Sequence, residues 1–113
     1  MATAVTTKCN YIMLSFEWDE DKRLINLCKH NVDFAVAHRL WRHPMVISEY
    51  RRRNYGETRY QGYGLLKNRV MMVVFTFRGK NNVRLISLRK ANRREQKIYE
   101  KEIARKKNCQ IYS

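Results

Sequence analysis

Val70-Met71-Met72-Val73-Val74-Phe75-Thr76-Phe77 decides the fold. Its eight residues are apolar at odd and even positions alike, so a strand here has both faces covered. Working outward, Gly79-Lys80-Asn81-Asn82 reads as a hairpin loop, and Val83–Arg89 as the strand that returns beside it. On the other side Lys67-Asn68-Arg69 makes a turn. Before it, Glu57–Leu65 alternates loosely, with Gly62 and Gly64 marking a bulge or a close backbone approach. Met45–Ser48 is a further short strand candidate, and Arg51-Arg52-Arg53 is too charged for anything but a loop or a strand edge.

Helix signals flank this strand-rich centre. Phe16-Glu17-Trp18 alternates as a short strand does, and Asp19 then caps a helix whose first turn carries Glu20 and Asp21. Leu24, Leu27 and Cys28 form the expected core face of that helix, with Arg23, Asn26 and His30 turned elsewhere. Asn31 suits the left-handed closing residue, with Val32 packing back. Asp33 opens a second helix through Phe34, Ala37, Leu40 and Trp41, stopped by Pro44. Asn92-Arg93-Arg94-Glu95 is an Asx relative of the capping box, opening a basic helix with Ile98, Tyr99 and Ile103 as its apolar stripe. The predicted architecture is α+β: two N-terminal helices, an antiparallel sheet of about four strands and a C-terminal helix. Domain limits are set at 14–103, with an N-terminal extension over 1–13 and a basic tail over 104–113.

The 113 residues suffice for one core and not two. Four Gly and one Pro exclude low-complexity architecture. No apolar run reaches the roughly 18 residues of a membrane span. Neither a secretory signal nor an even cysteine set is visible, and Cys9, Cys28 and Cys109 fit reduced thiols in a cytoplasmic protein. Lys plus Arg number 24 against 10 Asp plus Glu, a net charge of +14. The charge is concentrated: residues 1–45 hold six basic and five acidic side chains, the remainder eighteen and five. Such a field draws polyanions, with nucleic acid the first expectation, an acidic protein the second and a membrane surface behind both.

Several motifs together resemble one family. Phe16-Glu17-Trp18-Asp19, Lys22, Asn26, Lys29-His30, Asp33-Phe34 and Ala37 open its pattern. Tyr55-Gly56-Glu57-x-Arg59-Tyr60, Gly64 and Val74-Phe75-Thr76-x-Arg78 continue it. Arg84-Leu85-Ile86-Ser87-Leu88-Arg89-x-Ala91-Asn92-x-x-Glu95 and Tyr99 close it. Over about residues 14–100 the chain resembles the BrnT toxins. Asn31 stands where that pattern usually has Gly, and Leu88 where it has Ala. The resemblance implies a RelE-like ribonuclease of a type II toxin–antitoxin pair, with no cofactor. It also implies neutralisation by a BrnA-like ribbon-helix-helix antitoxin in an assembly of two copies each, which binds operator DNA through the antitoxin. A basic module that binds nucleic acid or antitoxin without turnover is the competing reading, and charge alone favours it.

Cleavage through the ribose 2′-OH needs a group to accept its proton, a cation for the pentavalent phosphorane and a proton for the leaving 5′-oxygen. Arginine suits the phosphorane because its fork grips two oxygens and keeps its charge. Arg89 is the first candidate, Arg78 the second and Arg59 the third. Arg89, Ser87 and Leu85 share one strand face by alternation, while Arg84 points the other way unless a bulge intervenes. The competing reading is that these arginines simply solvate the sheet or pair with Glu57 and Glu95. His30 is the natural proton carrier, with Lys22, Lys29, Glu57 and Tyr60 as alternatives, although Lys29-His30 also suits a helix C-terminus electrostatically. Arg84, Tyr60, Arg93, Arg94 and Lys97 are the expected RNA-binding residues, and the same basic helix would also suit an antitoxin. Cys28-x-His30 and His38-x4-His43 lack metal-ligand spacing, and no metal is expected. Trp18 and Trp41 belong to the core.

Overall fold

The computed structural model describes the backbone of residues 3–6, 14–52 and 54–112, and side chains over 14–52 and 54–106. Arg53, Cys9 and the segment Tyr11–Met13 lie outside the described residues, as does the Cys109 side chain.

The elements run β1 (Thr3–Thr6), β2 (Ser15–Trp18), α1 (Glu20–His30), a 3-10 helix (Phe34–Arg42), β3 (Met45–Glu49), β4 (Tyr60–Leu66), β5 (Arg69–Phe77), β6 (Asn82–Lys90) and α2 (Arg93–Tyr112). One six-stranded sheet has the order β1-β3-β4-β5-β6-β2. β3 to β6 form an antiparallel run, β1 adds antiparallel to β3, and β2 adds parallel to β6. The expectation of about four strands therefore covers only the consecutive run. Parallel addition of β2 needs a long connection, which periodicity does not reveal. The expected limit at 103/104 falls inside α2.

Both faces of β5 are covered. Met71, Val73 and Phe75 join Phe34, Ala37, Leu40, Met45, Val83, Leu85 and Leu88 beneath α1 and the 3-10 helix. Val70, Met72 and Val74 join Val46, Tyr63, Ala91 and Tyr99 beneath α2. Trp18 and Trp41 pack at the margin of the first cluster, where Trp41 meets Phe75 edge-on at 5.2 Å. Gly62 and Gly64 face this cluster, and a Cβ on Gly64 would sit 3.2 Å from Met45 Cγ. Close approach, and not a bulge, is the reason for glycine here.

The local caps form as their residue types dictate. The Asp19 carboxylate accepts from the N–H groups of Asp21 and Lys22, and Asn31 closes α1 at φ 56°. Asp33 accepts from Ala35 N, but the helix it opens is 3-10 over all nine residues. Lys67 and Asn68 both have positive φ, which fits a two-residue hairpin turn between β4 and β5.

Two readings of facing are corrected. On α1, Asn26 is buried, while Leu24 and Ile25 are 50% and 64% exposed and Cys28 is exposed. Arg23, Asn26, Leu27 and His30 form the inner face instead. The reason is pairing: Arg23 reaches Asp33, and Asn26 bonds the sheet, so polar groups with partners displace aliphatic ones. On β6, Val74 lies opposite Ser87 and Phe75 opposite Leu85, leaving Ile86 as an extra residue. This bulge puts Leu85 on the face opposite Arg89 and returns Arg84 to the same face as Arg89.

Candidate active site

The side chains on the α2 face form cross-strand rows. One row holds Val46, Tyr63, Met72 and Arg89, the next Ser48, Gln61, Val74 and Ser87. Beyond them Thr76 faces Arg84, and the same alternation carries Arg59 to this side just before β4. α2 lies over β1, β3, β4 and β5, leaving β6 at the margin of its cover. Arg59, Arg84 and Arg89 thus share one sheet face that helix α2 covers only in part. Arg84 and Arg89 stand opposite residues four apart on β5, about 13 Å along the strand.

Each candidate guanidinium meets a carboxylate. Arg89 grips Glu95 with two parallel bonds, Nη1 to Oε1 and Nη2 to Oε2, both 2.8 Å. Glu95 Oε1 also accepts from Asn92 N at 2.9 Å, and Glu95 N donates to Asn92 Oδ1 at 2.9 Å. The capping box that starts α2 therefore also holds the arginine fork. Arg59 donates to Glu57 at 3.1 Å and lies 3.8 Å over the Tyr55 ring, which stacks with Tyr50. Arg78 reaches the other Glu57 oxygen at 3.2 Å from a half-exposed position, and Arg84 pairs with Glu17.

His30 ends α1 within electrostatic range of Arg89. Burial, then the charges of Lys29 and Arg89, hold its imidazole below the ordinary value, which favours the neutral form. Tyr50 and Tyr63 also lie close enough to Arg89 to interact with its charge. The Arg89 hydrogen bond, opposed by burial, sets Glu95 below the usual carboxylate range. A depressed folded pKa stabilises the protein above the unfolded value of 4.5 and loses that contribution as pH falls through the folded one. Urea unfolding of wild type and Glu95→Gln is expected to show a stability gap that is full at pH 7 and narrows below about pH 4.5. A gap independent of pH would contradict the pairing.

Other expected residues lie elsewhere. Tyr60 is on the opposite face, 5.7 Å from the Phe75 ring and 5.6 Å from Phe77. Lys22 is exposed near the start of α1, eight residues and about 12 Å of helix from His30. Arg93, Arg94 and Lys97 line an open depression on α2 with Ile98 and Lys101. The metal reading had Cys28 facing the core and His30 outside it, and the structure reverses both placements. Among the described residues no three His, Cys, Asp or Glu side chains come together. No role follows from the sequence for Gln61 and Ser48, which share this face with Ser87, or for the buried Asn26. Only Asn26 carried a signal, since it precedes His30 by one helical turn.

Comparison with known proteins now bears on this arrangement. Residues 18–95 match the model of the family described as ribonuclease toxin, BrnT, of type II toxin–antitoxin system. The chain belongs to the BrnT family. The crystal structure of the Brucella abortus ribonuclease toxin BrnT superimposes with a TM-score of 0.54 at 24% identity. The match covers 72% of this chain and all of that one, and supports the α+β fold. No curated protein matches. Membership in the BrnT family makes this a ribonuclease toxin of a type II system, with RNA as its substrate class and an antitoxin as its partner. Among the described residues no helix is long and apolar enough to cross a membrane.

Proposed function

We propose that this BrnT-family chain cuts RNA internally without a metal ion, through attack of a ribose 2′-oxygen on the adjacent phosphorus. The P–O5′ bond breaks, leaving a 2′,3′-cyclic phosphate and a 5′-hydroxyl. The observation that carries this reading is the Arg89 fork, held at 2.8 Å by Glu95 on a sheet face that α2 covers only in part. An incoming phosphate would replace Glu95 on the same two N–H groups, as both are planar or near-planar pairs of acceptor oxygens. Arg89 would then neutralise the phosphorane, His30 would take the 2′-OH proton, and water would protonate the leaving 5′-oxygen.

Arg59 and Arg84 would hold phosphates further along the strand, with Arg78 outside them. Glu57 is held between two guanidinium groups and is better suited to orienting them than to taking a proton. Arg93, Arg94 and Lys97 would add longer-range attraction for RNA. Within the same reading the helices follow the RelE-like plan, and the protein acts in the cytoplasm. A BrnA-like ribbon-helix-helix antitoxin silences it in an assembly of two copies each on operator DNA.

The test is incubation of 5′-labelled single-stranded RNA with the purified chain in EDTA. Expected products are new termini carrying cyclic phosphate. Pairing of every candidate guanidinium with a carboxylate favours the second reading, binding without turnover. That reading predicts a salt-sensitive complex with intact RNA instead.

A further inference from the structure

β2 pairs with β6 only as far as Leu85, so among the described residues the outer edge of β6 lacks a strand neighbour from Ile86 onward. At Leu88 a side chain takes that place. Asn26 Nδ2 donates to Leu88 O at 2.8 Å, and Leu88 N donates to Asn26 Oδ1 at 3.1 Å, across 62 residues of sequence. The same Nδ2 donates to Val32 O at 3.3 Å, tying in the segment after α1. Asn26 is 6% exposed, so these bonds are shielded from competing water.

The position of the clamp matters more than its strength. Leu88 immediately precedes Arg89, and its side chain is wholly buried, which leaves the backbone there little freedom. His30 lies one helical turn beyond Asn26 on the same face of α1. A single amide thus fixes the helix that carries the imidazole against the strand that carries the fork. We infer that Asn26 is a positioning residue whose side-chain amide, bonded to both backbone groups of Leu88, sets the spacing of His30 from Arg89. The inference rests on the proposed cleavage reaction for its kinetic consequence but not for its geometry.

The test compares wild type, Asn26→Ala and Asn26→Gln on 5′-labelled single-stranded RNA, alone and in an Arg89→Lys background. It adds an NMR titration of the His30 ring protons. Both variants are expected to lose kcat by on the order of 10- to 100-fold, since small misplacements of reacting groups cost that much. KM is expected to stay within about twofold, as the phosphate-binding cations remain. In the Arg89→Lys background Asn26→Ala should cost little more, because it acts through a spacing already spoiled. The charges facing His30 are Lys29 on its own helix and Arg89 on β6, and only the second moves away. Its titration should therefore shift upward.

Wild-type kcat in a folded Asn26→Ala, or losses that multiply with that of Arg89→Lys, would overturn the inference. If Asn26→Ala fails to fold, Asn26→Gln decides: it keeps the amide but lengthens the side chain by one methylene, and unchanged kcat there overturns the inference. If wild type leaves RNA uncut, the proposed reaction fails, and the His30 titration in Asn26→Gln still decides the spacing. An unmoved titration would sink it.

Discussion

Arg89→Ala is expected to lower RNA cleavage by on the order of 10²- to 10³-fold in kcat, the size of effect seen when one preorganised charge stabiliser is removed. The reasoning starts from geometry. Glu95 fixes both terminal nitrogens of Arg89, and the carboxylate is itself fixed by the first turn of α2. A fork held in place loses little entropy when phosphate replaces the carboxylate. Deleting it also strands a carboxylate whose side chain is only 13% exposed, so some stability goes with it. Circular dichroism and an unfolding curve must therefore accompany the assay. Arg78→Ala is the contrast: that side chain is 52% exposed and shares Glu57 with Arg59, and a loss below about tenfold is expected. A folded Arg89→Ala protein that cleaves at the wild-type rate would remove Arg89 from the reaction.

Phe75→Ala is expected to destabilise the fold by about 3–5 kcal/mol, measured by urea denaturation. Phe75 is wholly buried in the C-terminal half of β5. Its ring centroid lies 5.2 Å from Trp41, 5.7 Å from Tyr60 and 5.6 Å from Phe77. Truncation leaves a void where three aromatic rings meet, and stiff rings in fixed strands collapse poorly into it. A loss under about 1 kcal/mol would mean that the core is looser than these contacts require.

What could be read from the sequence divides along the range of the interaction involved. Caps and turns depend on neighbours two to four residues away, and Asp19, Asn31, Asp33 and Asn92–Glu95 all behave as their residue types imply. The central strand was legible because apolar residues on both faces leave few alternatives. The orientation of α1 was not. Leu24, Ile25 and Cys28 outweigh Asn26 on any hydrophobicity pattern, yet Asn26 is inside because Leu88, 62 residues on, supplies matching backbone groups. The candidate site divides the same way. Arginines were recognisable as a chemical class, and the Glu95 partner was foreseen as an ordinary ion pair. The shared face of Arg84 and Arg89 hung on a bulge that the sequence allowed but did not place, since one bulged residue reverses the alternation. Tyr60 was misplaced because aromatic character alone does not distinguish a core ring from a stacking surface.

That bulge also bears on how β6 can change over evolutionary time. Excising Ile86 alone would leave a strand of unbroken parity whose two ends both keep their faces, with Leu85 and Leu88 on one side and Arg84, Ser87 and Arg89 on the other. A half-buried isoleucine that stands outside the ladder is therefore a position where a lost codon, like a substitution, leaves the pairing of its neighbours intact.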